Sequence, residues 1–81
     1  MTIRKNIAVS ESGFVFDPDN GDSYTLNETG KLIIDMLAEG KTEKEIKNYF
    51  TEHYDVDEGT LENNFNDFII MLKNFNLTEN E

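Results

Sequence analysis

The stretch YTLNETGKLIIDMLAEG, residues 24–40, is where the pattern of the chain changes from strand-like to helical. Its first residues are β-type. Asn27 then provides a favourable N-cap, and Gly40 provides a favourable helix stop. Between these two, apolar side chains recur at helical spacing, at Ile33, Met36 and Leu37. The stretch therefore predicts a strand over residues 23–26 that leads directly into a first helix over residues 28–39.

Two more β-type segments precede this stretch, at residues 7–9 and 13–16. Short polar segments separate all three, as between neighbouring strands of a small sheet. We therefore predict an antiparallel meander of three strands.

The acidic segment DPDNGD, residues 17–22, fits two kinds of structure. Pro18 presets φ, and Asn20-Gly21 accepts positive φ, as in a hairpin turn. A calcium-binding EF-hand loop needs an oxygen ligand at its fifth position and Gly at its sixth, but here Gly21 and Asp22 stand in the reverse order. We therefore predict a turn and no metal site.

Two further helices are predicted downstream. Residues 42–45, TEKE, form a capping box that opens a helix running to about residue 53. A third helix follows residues 55–57, and Asn76 is a suitable left-handed stop after it. Its apolar stripe is broad and consists of Leu61, Phe65, Phe68, Ile69 and Leu72, continued by Phe75.

The order of elements predicts an α+β fold, in which a three-stranded antiparallel sheet is followed by a three-helix bundle, as in a winged helix. The 81 residues suffice for a single domain over residues 1–81, which we expect to be ordered over about residues 6–77. Residues 1–5 and 78–81 are expected to fray.

The net charge of −10 bears on the partners of the protein. Binding of nucleic acid needs clustered Lys and Arg, whereas the seven cations here are scattered, so a basic peptide or protein partner is favoured and nucleic acid is not. The chain has no Cys and no apolar segment typical of a signal peptide or membrane span. We expect a soluble, cytoplasmic protein that does not contact a membrane.

No catalytic constellation is recognisable in the sequence. His53 is the only histidine, and we expect it to interact with the C-terminus of the second helix. The five glycines do not cluster into a phosphate-binding loop, and the paired acids lie in segments predicted as turns, where carboxylates are usually solvated. We therefore predict that the protein is not an enzyme and has no cofactor.

The segment YTLNETGKLIIDMLAEGKTEKEI, residues 24–46, followed by YDV at residues 54–56, resembles the PqqD family of small peptide-binding proteins. Residues 26–30 match the family's LN-x-x-G start of the first helix, and residues 40–42 match its Gly-x-Thr turn. The likeness extends over about residues 7–77. Three positions depart from the family pattern: Ile34 replaces a common Trp, Asn64-Phe65 replaces Asp-Val, and Asn76 replaces the Gly before the final Leu.

The resemblance implies a recognition element of a pathway for ribosomally synthesised, post-translationally modified peptides. Such a protein is a non-catalytic peptide chaperone. It binds the leader of a precursor peptide by strand addition and presents the precursor to a modifying enzyme, often a radical SAM enzyme. In the family, the leader extends the sheet along the third strand and lies against the third helix.

Backbone pairing alone is too weak for such binding. Four or five hydrogen bonds of about 1 kcal/mol each are offset by a loss of rigid-body freedom that costs about 4–15 kcal/mol. Side chains must also fill a groove between strand and helix, where burial of about 300 Å² would add about 7 kcal/mol. The predicted peptide-binding residues are Ser23, Tyr24, Thr25, Leu26, Asn64, Phe65, Phe68, Met71 and Leu72.

Other functions remain compatible with the sequence. The helical half also fits an acidic winged-helix regulator that binds a protein partner or DNA, and a small acidic enzyme is a third alternative. The protein is expected to be a monomer, or a weak homodimer formed through the edge of the third strand.

Overall fold

The structure, a computed structural model, describes residues 2–79 and contains five short strands and three helices. The strands are β1 (Thr2–Ile3), β2 (Ala8–Val9), β3 (Phe14–Asp17), β4 (Asp22–Thr25) and β5 (Thr78–Glu79). The helices are α1 (Glu28–Ala38), α2 (Glu43–His53) and α3 (Glu58–Asn74). The predicted α+β fold, with a three-stranded sheet followed by three helices, is confirmed.

The main sheet has the strand order β2-β3-β4 and is antiparallel throughout. The predicted strands agree with it to within about one residue at each end. Val15 in the central strand pairs with Val9 on one side and with Tyr24 on the other, and its side chain is buried. This face of the sheet therefore packs on the helices, while the face that carries Phe14 and Phe16 is exposed.

The acidic segment forms the predicted hairpin turn between β3 and β4. The N–H of Gly21 donates to the carbonyl of Asp17 at 2.9 Å, and Gly21 has φ of 77°. The N–H of Asp22 donates to Oδ1 of Asn20 at 2.9 Å. The expectation that Asn20 also takes a positive φ is wrong, because Gly21 alone accommodates the left-handed step in this turn.

The positively charged side chain of Arg4 lies against the acidic residues of this turn. The guanidinium of Arg4 is 3.7 Å from the carboxylate of Asp17 and donates to Asp19, which also accepts from the side chain of Asn6 at 2.6 Å. Asp17 is 1% exposed, and its Oδ1 accepts from the N–H of Asp19 at 3.0 Å. Within residues 2–79, no three or more His, Cys, Asp or Glu side chains are grouped as they would be to hold a metal ion.

The helix ends form as the sequence predicts. Asn27 accepts from the N–H of Gly30 at 2.8 Å, and Thr42 with Glu45 forms the capping box of α2. Asn76 has φ of 59°, which places it in the left-handed conformation after α3.

One hydrophobic core joins the inner face of the sheet to all three helices. It consists of Ile3, Val15, Ile33, Ile34, Leu37, Ile46, Phe50, Phe65, Ile69, Leu72 and Leu77. Within residues 2–79, no helix combines the length and the apolar character needed to cross a membrane.

The chain ends, which the sequence analysis expects to fray, pair with each other instead. Thr2 pairs with Glu79 and Ile3 with Thr78 in a two-stranded antiparallel sheet. Ile3 and Leu77 are buried in the core, and the burial of these two side chains stabilises the pairing. Strands of two residues are too short to show an alternating pattern, so they could not be predicted from the sequence. Met1 and residues 80–81 lie outside the described residues.

Candidate functional site

Strand β4 is an edge of the main sheet, and its outer side carries backbone groups that point away from β3. The N–H of Leu26 donates to the carbonyl of Gly13 at 2.8 Å, so this residue pair is hydrogen-bonded. Because hydrogen-bonded and non-hydrogen-bonded pairs alternate in an antiparallel ladder, Tyr24 also points its backbone groups at β3. Ser23 and Thr25 therefore direct their N–H and C=O groups to the open edge.

The side chains of β4 alternate between the two faces of the sheet. Tyr24 and Leu26 are half-buried and pack against the core on the helical side. Ser23 and Thr25 are exposed and lie on the outer face, across from Phe16 and Phe14. Ser23 and Thr25 thus offer backbone groups to a partner strand, whereas Tyr24 and Leu26 offer apolar side chains on the helical side of the sheet.

Helix α3 lies beside β4, because the Tyr24 ring stacks on Phe75. A Cβ on Gly30 would also lie close to both Phe68 and Leu26. We infer a groove between the two elements.

Phe68 and Met71 are half-buried against the core, and Asn64 is exposed nearby on the same face of the helix. Phe65 is 1% exposed and Leu72 is 0% exposed, so both side chains are buried, although Phe65 also lines a cavity between the helices. They support the groove from beneath, and no side-chain surface of Leu72 is available to a partner.

One end of the groove is closed by an aromatic stack between Tyr24, a predicted site residue, and Phe75, which is not among the predicted site residues. The rings of Tyr24 and Phe75 lie with their centroids 4.4 Å apart and their planes at 29°. Phe75 follows the last residue of α3 and remains 40% exposed. Its position in the apolar stripe of the third helix was the signal that could have identified it.

A cavity of about 410 Å³ lies between the start of α1, the end of α2 and the first half of α3. Asn64 and Phe68 line it, so we infer that the groove continues into this cavity. Its walls are mainly apolar and include Tyr54 and Val56, with a rim of Asn and Thr side chains. Phe68 borders the cavity and contacts the start of α1, where a Cβ on Gly30 would lie 3.1 Å from the Phe68 ring. The absence of a side chain at Gly30 therefore leaves space for the Phe68 ring.

Among the residues that the structure describes, no Lys or Arg lines the cavity. The pKa of Tyr24 is raised, chiefly because part of the side chain is shielded from water and also because the carboxylates of Asp22 and Asp17 lie near. The phenol therefore stays neutral at physiological pH. Arg4, Lys31 and Lys47 each form an ion pair with a carboxylate of the chain itself.

This arrangement fits an extended peptide, with backbone groups at the edge of β4 and apolar walls on both sides. Ser23, Tyr24, Thr25, Leu26, Asn64, Phe68 and Met71 border the groove, and the assignment of any residue to peptide binding stays a prediction. Gly30, Tyr54, Val56 and Phe75 are not among the predicted peptide-binding residues. Tyr54 and Val56 belong to the YDV segment on which the family resemblance partly rests.

Two solved structures are similar to the whole chain. The structure of TbiB1 in complex with the TbiA(beta) leader peptide matches with a TM-score of 0.89 and 28% sequence identity, over 100% of this chain and 98% of that one. The structure of lasso peptide synthetase B1 complexed with the leader peptide matches with a TM-score of 0.83 and 23% identity, over 96% of this chain and 95% of that one. At 23% identity, the second likeness concerns the fold.

No curated protein matches the chain at a significant level. The family model described as coenzyme PQQ synthesis protein D (PqqD) matches residues 13–77, which include β3, β4, all three helices and both walls of the groove. The chain belongs to the PqqD family.

Proposed function

We propose that the protein is a non-catalytic peptide chaperone that binds the leader of a precursor peptide as an added strand along β4. The observation that carries this function is the open edge of β4 facing the apolar side of α3. The TbiB1 structure, similar over the full length of the chain, holds a leader peptide. Membership of the PqqD family supports the same role and does not favour the alternative, an acidic winged-helix regulator.

The register of β4 sets the pattern of the peptide. In an antiparallel addition, peptide residues opposite Ser23 and Thr25 form the hydrogen-bonded pairs, and their side chains lie on the outer face of the sheet. The residue opposite Tyr24 points into the groove towards α3. The leader should therefore carry apolar side chains at alternate positions, with the intervening positions free to be polar.

Peptide binding requires both backbone hydrogen bonds and burial of apolar side chains. Ser23 and Thr25 offer four backbone groups, which at about 1 kcal/mol each do not offset an association cost of about 4–15 kcal/mol. Burial of about 300 Å² of apolar surface in the groove adds about 7 kcal/mol. The strand pairing orients the peptide, and the groove with its cavity selects the peptide sequence.

An antiparallel addition also gives the peptide a direction. Strand β4 runs from the hairpin turn towards the start of α1. The N-terminal part of an antiparallel leader would therefore lie at the cavity, and its C-terminal part would continue along the edge of β4, outside the closed end of the groove, to the hairpin turn. A large apolar side chain near the N-terminal end of the bound segment would occupy the cavity, and the part of the precursor that is modified would emerge near Asp22.

Presentation to an enzyme completes the proposed role. The precursor emerging at the hairpin turn would be presented to a modifying enzyme, such as a radical SAM enzyme. The cysteine-free chain suits a reducing cytoplasm, where we place this process.

The test uses a fluorescein-labelled peptide that the wild-type protein selects from a displayed random library. Thr25→Pro removes an N–H at the open edge of β4 without removing a bond to β3, and Thr25→Ala is the matched control because it keeps the N–H. We expect anisotropy titrations to show that Thr25→Pro loses most of the affinity and that Thr25→Ala keeps it. In NMR titrations of the wild type, amides of residues 22–27 and 64–75 should shift. Binding by Thr25→Pro that equals the wild type would rule out strand addition at β4.

A further inference from the structure

Arg4 joins three segments that are distant in the sequence. Its Nη1 donates to the carbonyl of Asn76 at 2.9 Å, and its guanidinium lies 3.7 Å from Asp17 and donates to Asp19 in the hairpin turn. Its backbone N–H donates to the carbonyl of Leu77 at 2.9 Å. One side chain, 20% exposed, thus ties the N-terminal segment to the hairpin and to the turn after α3.

The two segments that Arg4 ties together lead directly to the closed end of the groove. The hairpin turn leads into β4 and Tyr24, and Asn76 comes directly after Phe75. The Tyr24 and Phe75 rings stack at 4.4 Å. A guanidinium bonded to both segments fixes their separation, because its planar fork holds several acceptors in one geometry.

We propose that Arg4 is a positioning residue that sets the distance between β4 and the end of α3, and with it the width of the peptide groove. The proposal rests on the function proposed above. The described contacts of the Arg4 side chain are with Asp17, Asp19 and Asn76, none of which is a predicted peptide-binding residue. Arg4 acts through the placement of Tyr24 and Phe75.

A purely stabilising role for Arg4 has different consequences. Asp17 is 1% exposed, and removing its cationic partner would leave a buried carboxylate unpaired. Such a change typically destabilises the folded state strongly. If stability were the whole role, variants that remain fully folded would keep both the aromatic stack and the affinity for the peptide.

Two variants separate these roles. Arg4→Lys keeps the positive charge but replaces the planar guanidinium, with its several N–H donors, by an ammonium group. It therefore cannot hold Asn76 and Asp19 in the same geometry. The double variant Arg4→Met with Asp17→Asn removes the guanidinium and leaves no unpaired buried carboxylate.

The control variant is Glu62→Gln. It breaks the ion pair of 3.2 Å with Lys47, which joins α3 to α2 rather than to β4.

Each variant is measured at a temperature at which circular dichroism shows it to be fully folded. In the free protein, NOEs between the rings of Tyr24 and Phe75 report the stack. Anisotropy titration with the labelled library-selected peptide reports the affinity. We expect both Arg4 variants to lose the NOEs and to bind with a Kd raised roughly 2- to 30-fold, while Glu62→Gln keeps both.

The outcomes distinguish this inference from the proposed function. Unchanged NOEs in both Arg4 variants would overturn the positioning role, and lost NOEs with an unchanged Kd would show that the groove does not depend on Arg4. If the wild type selects no peptide from the library, the peptide-binding function fails. The NOEs in the free protein would then decide by themselves whether Arg4 positions Phe75.

Discussion

Tyr24 on β4 stacks on Phe75, which follows the last turn of α3, with ring centroids 4.4 Å apart. The contact joins the strand that carries the open edge to the helix that forms the facing wall. Both residues keep part of their surface accessible, so the same pair closes one end of the groove and offers an aromatic surface to a side chain within it.

Replacing Phe75 should weaken peptide binding more than it weakens the fold. Phe75→Ala removes an aromatic pair worth about 0.5–1.5 kcal/mol and opens the closed end of the groove. We expect a modest fall in the free energy of unfolding and a roughly tenfold rise in the Kd of the library-selected peptide. Urea denaturation and anisotropy titration measure the two quantities.

The control for Phe75→Ala is Ile70→Ala, because Ile70 is 56% exposed on the solvent side of α3. An equal loss of affinity in both variants would remove the assignment of Phe75 to the groove.

Leu72 and Met71 are neighbours in the sequence and should behave in opposite ways. Leu72 is 0% exposed, so Leu72→Ala should lower the free energy of unfolding by about 2–5 kcal/mol. Peptide affinity should be retained below the melting temperature. Met71→Ala should cost roughly 1 kcal/mol of stability and raise the Kd several-fold, because Met71 borders the groove. The same two measurements apply, and a larger loss of affinity in folded Leu72→Ala than in Met71→Ala would contradict the assignment.

The cavity at the open end of the groove depends on the missing side chain of Gly30. A Cβ there would lie 3.1 Å from the Phe68 ring, which must then shift. Gly30→Ala should therefore change the shape of the cavity and lower the affinity for peptides with a large apolar residue near the N-terminal end of the bound segment. Titrations with the selected peptide and with its Ala variant at that residue measure the effect.

Gly59→Ala is the matched control, since it adds the same methyl group to the first turn of α3 and Gly59 does not line the cavity. If Gly30→Ala binds the selected peptide as tightly as Gly59→Ala does, the cavity does not hold that residue.

The capping box of α2 should make a pH-dependent contribution to stability. The pKa of Glu45 is lowered from 4.5, chiefly by the hydrogen bond from the backbone N–H of Thr42. Because the pKa of Glu45 is lower in the folded state than in the unfolded state, ionised Glu45 stabilises the fold at pH values above its unfolded-state pKa. This stabilisation is lost as the pH falls through the folded-state pKa. The stability difference between wild type and Glu45→Ala should therefore be fully present at pH 7 and should decrease progressively as the pH falls below the ordinary pKa of a glutamic acid.

Urea denaturation across this pH range measures the effect. Glu43→Ala is the control, because it removes an acid from the same first turn without breaking the bond to Thr42. A Glu45→Ala difference that stayed constant down to low pH would contradict the role of the carboxylate in the cap.

Much of the local structure could be predicted because it depends on near neighbours in the chain. Asn27, the Thr42 and Glu45 pair and Asn76 each act within a few residues, and the starts of α1 and α2 and the stop after α3 followed from them. The strands could be predicted from the same kind of pattern. The apolar stripe of α3 predicted which residues face inward but not how deeply each is buried. Of the predicted site residues, Phe65 and Leu72 are buried, and Phe65 also lines the cavity.

Contacts over long sequence distances could not be predicted in this way. Arg4 was grouped with an N-terminal segment expected to fray, yet it lies against Asp17 and Asp19, and the strands at the two chain ends pair with each other. The cavity likewise combines parts of three helices, none of which forms it alone.

The sequence by itself determined the order and type of the elements, the position of their caps and turns, and the resemblance to the PqqD family. These features follow from spacing and from interactions between residues close in the chain. Only the tertiary structure decided which side of β4 stays open, which apolar residues of α3 remain accessible, and which cation lies against the acidic turn. Each of these depends on the packing of segments far apart in the sequence, where close contact and the exclusion of water decide which groups remain free to bind a partner.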